Sequence, residues 1–409
     1  MKFVVATYGT EGDARPFAAL CRGLMDAGHE ARLLADVATL GSAKALGVPT
    51  ASLAGDIRGI LGRDPAIAHA VGKGGGFNQT TRALTKIAGE NAESWLRSIV
   101  EAAEGCDAIL AAGLAAFIGF SAAECLGVKA IGAGMIPITP TAAFPSPMLA
   151  SSWVPSRFNR VSHRLVNAVL WNLFRAKTNA ARAKFKLPPR RSVWNGIPMV
   201  YGVSSRLLPK PADWAANVHL CGQWLATSPG WRPPSALVNF LASGEPPIYV
   251  GFGSMTGFVH APLMEALSNA MANRRVLFHR GWSGIDPKAL PSNFLAIDDT
   301  PHEWLFPRIA AAIHHGGSGT SHSAARAGVP SIVVPFAGDQ FFWAERLRLA
   351  GASPAAVNGR RPKTEALARA LEVAASVQVR NRARALGETM RAENGVLAAV
   401  TALERIATS

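Results

Sequence analysis

The sequence has few cysteines, little acidic charge and no long apolar run, and each shortage excludes a class of protein. Its four cysteines are too few and too scattered for a disulfide framework or a close-spaced zinc site, so we expect reduced thiols. No apolar stretch reaches the roughly 18 residues of a transmembrane helix without interruption. Met1 and Lys2 lead directly into a strand-like run at 3–6, which leaves no room for a signal peptide. We therefore expect a cytoplasmic protein.

The composition indicates a well-packed globular protein. The 409 residues are 49% hydrophobic and only 17% charged, which excludes a disordered chain. This length is enough for two domains with substantial cores, and too great for a single small binding module.

The net charge of +15, from 42 basic and 27 acidic residues, is concentrated in one part of the chain. No Asp or Glu occurs between Cys125 and Ala212, where thirteen Lys and Arg residues fall. We call residues 155–191 the basic segment. Apolar residues recur within it at helical spacing, and arginines fall on a neighbouring stripe. The apolar residues are Phe158, Val161, Leu165, Val169 and Leu173, and the arginines are Arg157, Arg160, Arg164, Arg175 and Arg182.

This pattern has two interpretations. The basic segment is either a solvated helix whose apolar stripe belongs to the core, or a peripheral contact with the anionic inner face of a membrane. In the second case each Lys or Arg near the lipid surface contributes about 1 kcal/mol. The segment contains no recognisable nucleic-acid reader motif, so we do not expect a nucleic-acid partner.

Apolar strands and helical stretches alternate in both halves of the sequence, which predicts an α/β protein with parallel sheets. We predict an N-terminal Rossmann-like domain over 1–208, a linker rich in Pro, Gly, Ser and Trp over 209–247, and a second such domain over 248–385. A final helix over 386–409 is expected to pack back on the N-terminal domain. Two such domains imply a cleft between them in which ligands bind.

Three glycine-rich turns follow predicted strands, at 8–16, 251–255 and 314–320. Glycines let a backbone approach closely, and the helix that begins after such a turn carries partial positive charge at its N-terminus. The turns therefore suit phosphate groups, but none has the Gly-Lys-Ser/Thr of an ATP-binding loop. Gly9, Gly12 and the strand-ending Asp36 only partly match a dinucleotide fingerprint, so a nicotinamide- or flavin-dependent oxidoreductase is a distant alternative.

Three stretches of the chain carry a more specific resemblance. Residues 314–320 (His-His-Gly-Gly-Ser-Gly-Thr), with Ala-Gly-Val-Pro at 327–330 and Pro-Phe-Ala-Gly-Asp-Gln at 335–340, resemble the donor-binding signature of nucleotide-sugar-dependent glycosyltransferases. Residues 9–16 (Gly-Thr-Glu-Gly-Asp-Ala-Arg-Pro) are similar to the N-terminal motif of the branch that contains sterol glucosyltransferases and bacterial antibiotic glycosyltransferases. Residues 300–307 resemble a stretch of the sterol enzymes. The motif match leaves out 146–206.

This resemblance implies the GT-B architecture, in which two Rossmann-like domains face each other across a cleft. It also implies inverting transfer of a sugar, from a UDP- or dTDP-sugar, to an acceptor hydroxyl without a metal or other cofactor. Of the two donors we favour a UDP-sugar. The expected acceptor is lipophilic, such as a sterol-like, terpenoid or lipid molecule. The alternative is a dTDP-deoxysugar transferase that modifies a polyketide or peptide natural product.

Asp13 matches the position of the family's general base, which would accept the proton of the acceptor hydroxyl. Its alternative role is to cap the helix that we predict from Arg15 to Ala27. An ordinary aspartate has a pKa near 4, so burial would have to raise the pKa of a base at this position.

The remaining site residues match donor-binding positions of the family. His314 and the turn after it would hold the diphosphate together with Ser254, whereas Asp339 and Gln340 would bind sugar hydroxyls. Trp282 and His302 would hold the nucleotide base. Other roles remain for some of them, since a buried histidine is often a core residue and Asp339 and Gln340 stand where a helix is capped. The predicted donor-binding residues are Gly12, Ser254, Trp282, His302, His314, His315, Gly317, Ser318, Gly319, Thr320, Asp339 and Gln340.

Overall fold

The computed structural model describes residues 1–59, 76–150, 154–225, 230–253, 261–281 and 285–409, with backbone alone at 76–82. Two parallel sheets organise these residues, one of seven strands and one of five. Alternating strands and helices in each half produce this arrangement, because a parallel pair needs a crossover connection and a helix supplies it. The predicted fold class of two parallel-sheet α/β domains is confirmed.

The N-terminal sheet has the strand order β3-β2-β1-β4-β5-β6-β7. Its helices cover both faces, so that apolar side chains of β1 contribute to two separate core clusters. The strands are β1 Lys2–Tyr8, β2 Glu30–Asp36, β3 Thr50–Leu53, β4 Ala108–Gly113, β5 Lys129–Gly134, β6 Met199–Tyr201 and β7 Val218–Leu220. The helices are α1 Glu11–Asp26, α2 Gly41–Ala45, α3 Gly76–Ala102, α4 Ala116–Leu126 and α5 Asn159–Lys184.

The C-terminal sheet has the order β10-β9-β8-β11-β12. Its strands are β8 Ile248–Gly251, β9 Val276–His279, β10 Phe294–Ile297, β11 Ala311–His314 and β12 Ser331–Val333. The helices of this half are α6 Ser235–Ala242, α7 Ala261–Ala270, α8 His302–Leu305, α9 Ser318–Ala327, α10 Gln340–Leu349 and α11 Thr364–Ala375, followed by α12 Val377–Arg391 and α13 Gly395–Thr408.

Both sheets reverse their strand order at the same place. The first strand of each domain pairs with the second on one side and with the fourth on the other, as β1 does with β2 and β4 and as β8 does with β9 and β11. In open α/β sheets ligands bind beyond the carboxyl ends of the strands at this switch point. The three glycine-rich turns leave β1, β8 and β11, so the topology places them at the two switch points.

The predicted linker and domain limits need correction. Residues 209–247 include β7, which extends the N-terminal sheet by pairing with β6, and also α6. The short Val218–Leu220 strand sits among Pro, Gly and Trp residues, and this composition hides it in the sequence. The predicted division at 385/386 falls inside α12.

The last helix crosses back to the first domain. Val400 and Leu403 of α13 belong to the core cluster that contains Phe17 and Leu20 of α1. A Cβ atom on Gly23 of α1 would lie 2.1 Å from Cγ1 of Val396, so only glycine permits this close approach.

A shared apolar cluster joins the two domains. It combines Tyr201 and Phe144 of the N-terminal half with Phe342 and Trp343 of α10. The rings of Phe144 and Phe342 are 5.2 Å apart between centroids. This packing fixes the carboxyl ends of the two sheets close to one another.

The basic segment forms helix α5, but its apolar stripe does not belong to the core. Val161, Leu165 and Val169 are exposed, whereas Trp171 and Arg182 are buried on the opposite face. The core interpretation of this stripe is therefore wrong. The sequence pattern contains two apolar faces, and α5 docks through the face that carries Trp171.

Candidate active site

The turn after β1 places a carboxylate at the N-terminal switch point. Helix α1 begins at Glu11, four residues before the predicted start, because Thr10 precedes it as the N-cap residue. The backbone N of Thr10 donates to Oδ2 of Asp13 over 2.8 Å, and the Thr10 hydroxyl donates to the same oxygen over 3.2 Å. Asp13 is therefore not the N-cap itself but the third helical residue, and its carboxylate reaches back to the cap.

The carboxylate of Asp13 lies directly over Gly9. A Cβ atom added to Gly9 would fall 2.3 Å from Oδ2, so any larger residue would push the carboxylate away. Burial raises the pKa of Asp13, and the two hydrogen bonds from Thr10 oppose that rise. One oxygen thus fixes the side chain, while Oδ1 makes no hydrogen bond within the described part of the chain.

Asp339 of the C-terminal domain is close enough to Asp13 for the Asp13 charge to raise the pKa of Asp339. The pKa of Asp339 is raised to about 6, mainly by burial; a hydrogen bond from Trp343 opposes this rise, and the negative charge of Asp13 contributes to it. Nε1 of Trp343 donates to Oδ2 of Asp339 over 2.8 Å. The predicted base and the predicted sugar-binding carboxylate are thus brought together from different domains.

His314 ends β11 and is completely buried. Its Nδ1 accepts a hydrogen bond from the backbone N of Gly316 over 3.1 Å, so the ring proton is on Nε2. Nε2 has no partner among the residues described. Burial lowers the pKa of His314 to about 3, and nearby His315 and His302 contribute in the same direction. A neutral buried ring with an unused donor is suited to a ligand oxygen.

The neighbouring His315 is less buried than His314 and lies between two of the glycine-rich turns. Its ring lies beside Gly253 and Gly317, the small residues that follow β8 and β11. Burial lowers the pKa of His315 to about 4, and the nearby backbone of Gly251 opposes this shift. Nδ1 of His315 also lacks a partner within the described residues.

Helix α9 begins at the same turn, with Gly317 as its N-cap residue. Gly319 and Thr320 lie in its first turn, where the free backbone N–H groups carry partial positive charge. The hydroxyl of Ser318 donates to the backbone oxygen of Met135 in the N-terminal domain over 3.1 Å. The N-terminus of α9 therefore lies at the domain boundary, and the Ser318 hydroxyl is bonded to the protein itself.

Gln340 already has a structural task. Its side-chain oxygen accepts from the backbone N of Phe336 over 2.7 Å and from that of Ala337 over 3.1 Å. These bonds hold the turn that presents Asp339, which is the N-cap residue of α10. Asp339 and Gln340 therefore have different surroundings. The carboxylate of Asp339 lies near Asp13, whereas the side-chain oxygen of Gln340 binds the backbone of the turn.

His302 begins α8 and stacks on Phe306, with ring centroids 4.2 Å apart. Burial lowers the pKa of His302 to about 3. Nearby, Asp299 accepts a hydrogen bond from His279 over 3.1 Å and lies 3.8 Å from a guanidinium nitrogen of Arg15 on α1. This exposed ion pair crosses from one domain to the other. Ser254 and Trp282 lie outside the described residues.

Several residues that build this site belong to none of the motifs recognised in the sequence. Met135 contributes only a backbone oxygen, and Ser204 and His322 meet across the domain boundary. Backbone groups carry no residue-type signal. His322 lies four residues after Ser318 on α9, and this spacing places both on one helix face.

Asp36 does not serve a dinucleotide. Its carboxylate is buried and accepts from the Tyr8 hydroxyl over 2.7 Å and from the backbone N of Ile57 and of Ala38. These three bonds hold the carboxylate within the protein. In a dinucleotide-binding domain the acid at this position binds the ribose of the cofactor. Here Asp36 is buried and hydrogen-bonded within the protein, which contradicts the oxidoreductase alternative.

Two Rossmann-like domains with glycine-rich turns facing each other across their boundary define the GT-B class of glycosyltransferases. Solved structures of this class share the fold over nearly the whole chain. The glycosyltransferase VinC in complex with dTDP has a TM-score of 0.67 at 18% identity, covering 100% of both chains. Spinosyn rhamnosyltransferase SpnG, complexed with spinosyn aglycone, has a TM-score of 0.66 at 17% identity, covering 99% of this chain and 100% of the other.

Sequence comparison defines the family. Residues 271–401 match the family model described as erythromycin biosynthesis protein CIII-like, C-terminal domain. The chain is 34% identical over 421 residues to an O-mycaminosyltylonolide 6-deoxyallosyltransferase of Streptomyces fradiae, covering 99% of this chain and 97% of the relative. It is 31% identical over 423 residues to a sterol 3-beta-glucosyltransferase of Arabidopsis thaliana, covering 98% of this chain and 65% of that longer relative. The chain belongs to this family of nucleotide-sugar glycosyltransferases of the antibiotic and sterol type.

Proposed function

We propose that this glycosyltransferase moves a sugar from a nucleoside-diphosphate sugar to a hydroxyl of a lipophilic acceptor, with inversion at the anomeric carbon. The observation that carries the proposal is the meeting of two switch points: Asp13 comes from one domain and the His314 turn from the other. The influence of Asp13 on the pKa of Asp339 supports a common cleft for both.

In the proposed reaction Asp13 is the general base. The acceptor oxygen attacks the anomeric carbon while its proton passes to the Asp13 carboxylate, and the bond from that carbon to the diphosphate oxygen breaks on the opposite side. Attack and departure on opposite faces invert the configuration. The raised pKa of Asp13 favours this role, because a base works best when its pKa lies closer to the working pH.

The leaving diphosphate gains negative charge, which the turn after β11 would stabilise. The Nε2–H of His314, the first amides of α9 and the Thr320 hydroxyl are the proposed donors. Gly12 and Ser254 are proposed to contact the donor as well. Such preoriented groups act strongly because water is excluded and they need not reorganise. Asp339 would accept a hydrogen bond from a sugar hydroxyl, while Trp282 and His302 would hold the base.

We favour a UDP-sugar donor and a sterol-like, terpenoid or lipid acceptor because of the similarity to sterol 3-beta-glucosyltransferases. The alternative is transfer of a deoxysugar from dTDP to a polyketide or peptide natural product. The similarity to the deoxyallosyltransferase and the dTDP-bound VinC structure favour that alternative.

Titration of the purified protein with UDP and with dTDP tests the donor site without any acceptor. We expect micromolar to millimolar binding of one nucleotide, in the usual range of enzyme substrates, and a preference for UDP. A screen of sterol, terpenoid, lipid and macrolide acceptors with radiolabelled UDP- and dTDP-sugars then identifies the product. Tighter binding of dTDP together with transfer to a macrolide would establish the alternative, and failure to bind either nucleotide would refute the whole proposal.

A further inference from the structure

The outer face of helix α5 carries a row of exposed apolar side chains. The exposed fractions are 55% for Val161, 62% for Leu165, 50% for Val169 and 43% for Leu173, and Phe158 just before the helix is 45% exposed. Scattered apolar residues are ordinary on a protein surface, but a continuous row along one helix is a feature of binding surfaces. We call these five residues the outer stripe.

The outer stripe is bordered by positive charge on both sides. At 100° per residue, its four helical members span about 120° of the helix surface. Arg164 and Arg175 fall beside one edge of that arc, and Lys177 and Lys184 beside the other. Arg160 is neutralised by Asp213, whose carboxylate lies 2.6 Å away. Arg157 lies over the ring of Phe158 at 4.9 Å, next to the start of the stripe.

The opposite face of α5 is firmly attached, so the outer stripe is not a misplaced core surface. The buried Trp171 packs edge-on against Phe117, with ring centroids 5.2 Å apart. Arg182 is buried and pairs with Glu124 over 2.8 Å. These contacts set the rotation of the helix and direct the stripe outward.

We infer that the outer stripe docks the enzyme on the surface of an anionic lipid bilayer. An apolar row flanked by Lys and Arg is the pattern of a helix that lies in the plane of a membrane interface, with its apolar side chains among the acyl chains and its cations among the headgroups. A protein partner with an apolar groove would not require basic residues along both edges. The absence of Asp and Glu between residues 125 and 212 removes repulsion from anionic headgroups.

A short stretch of chain connects this helix to the cleft. His163 and Asn167 of α5 both contact the backbone oxygen of Ile138, which is itself partly exposed. Three residues earlier, the backbone oxygen of Met135 accepts the hydrogen bond from the Ser318 hydroxyl at the N-terminus of α9. On the proposed function, from which this step follows, a lipophilic acceptor held in the bilayer would enter the cleft beside the docked helix.

Vesicle co-sedimentation tests the inference with the full chain. We expect the enzyme to sediment with vesicles of phosphatidylglycerol and phosphatidylcholine but not with phosphatidylcholine alone, and less so as salt is raised. The triple substitution Val161→Ser, Leu165→Ser and Val169→Ser should abolish sedimentation. Arg164→Gln with Arg175→Gln should weaken the partition coefficient about fivefold for each charge removed.

Matched substitutions elsewhere control for a general loss of surface hydrophobicity or charge. Leu349, Val373 and Val377 are exposed to a similar degree in the C-terminal domain, and their replacement by serine should leave sedimentation unchanged. Arg380→Gln with Arg384→Gln is the control for charge. Nucleotide titration and thermal melting of every variant show that the donor site and fold are intact, so failure of docking is distinguishable from failure of the proposed function.

Three results would overturn the inference. They are wild-type protein that ignores anionic vesicles, an outer-stripe variant that sediments as well as the wild type, and a wild-type dimer that light scattering shows to be converted to monomer by the same triple substitution. The last result would assign the stripe to a second copy of the chain.

Discussion

The backbone N of Ser204 donates a hydrogen bond to Nε2 of His322 across the domain boundary, over 3.2 Å. Because Nε2 accepts, the ring proton is on Nδ1, which donates to the backbone oxygen of Ser318 over 2.8 Å. The ring of His322 also packs edge-on against Trp343, with centroids 4.8 Å apart. One buried neutral histidine therefore positions the first turn of α9 against the other domain.

Replacement of His322 should loosen this boundary. His322→Phe leaves the buried amide of Ser204 without its partner, at a cost of about 1–3 kcal/mol in the free energy of unfolding. His322→Gln keeps one acceptor and one donor and should lose less. Chemical denaturation of both variants measures the difference, and equal stabilities would show that the hydrogen bonds do not contribute.

His322 should also make stability depend on pH. Burial lowers its pKa to about 4, whereas in the unfolded chain the ring titrates near 6.5. Between these values the unfolded state binds more protons, so the free energy of unfolding should fall as pH drops from about 6.5 to about 4, by at most about 1.4 kcal/mol per unit.

Comparison with His322→Gln isolates this contribution. His302, His314 and His315 act in the same direction, while Asp339, with its raised pKa, acts in the opposite one. In His322→Gln the free energy of unfolding should therefore still change with pH, but less steeply, because one titrating group has been removed. An unchanged slope would place the titration of His322 outside this window.

Asp13→Asn should separate catalysis from capping. An asparagine oxygen can still accept the Thr10 bonds, so the melting temperature and nucleotide affinity should change little. Without a base, turnover should fall about 10²- to 10⁴-fold. Asp26→Asn, at the far end of α1, is the matched control and should keep full activity. Full turnover by Asp13→Asn would exclude Asp13 as the base.

His314→Phe tests the unused Nε2 donor. The ring volume is conserved in a buried position, but the donor is lost, and so is the acceptor of the Gly316 amide. We expect the affinity for the nucleoside diphosphate to fall about tenfold or more, as for a hydrogen bond to a charged group. His29, which lies remote from the site and pairs with Glu404, supplies the control His29→Phe. Unaltered nucleotide affinity in His314→Phe would remove this histidine from the donor site.

Gln340→Ala should act mainly through the fold. It removes the acceptor of two backbone amides, so the unfolding free energy should fall by about 1–3 kcal/mol. Asp339→Asn keeps the hydrogen bond to Trp343 and should instead raise KM for the donor sugar. Steady-state kinetics together with melting curves distinguish the two, and the opposite assignment would follow if Asp339→Asn alone destabilised the protein.

Much of this architecture could be read from the sequence. Strands β1, β8 and β11 are short apolar runs that end at a glycine or within two residues of one, so their positions and the switch-point turns follow from local signals. The first residue of α1 is harder to predict than these strands. Thr10, Glu11 and Asp13 are all common in or just before a first helical turn, and Pro16 suggests a later start. The structure resolves this, since Thr10 and Asp13 bond to each other.

Contacts between distant parts of the chain could not be predicted. The bond from Ser318 to Met135 joins residues 183 positions apart and uses a backbone oxygen. The outward rotation of α5 depends on which of its two apolar faces finds a partner, and that partner includes Phe117 on another helix. Periodicity identifies the helix but not the face that is buried.

The return of α13 to α1 affects how this enzyme could be recombined with its relatives. A hybrid that keeps residues 1–247 and takes its remaining half from another enzyme would also receive a foreign last helix. That helix would have to fit the notch at Gly23, which here admits Val396. Exchange of the two halves between relatives should therefore succeed best when the native 395–408 is carried along with residues 1–247.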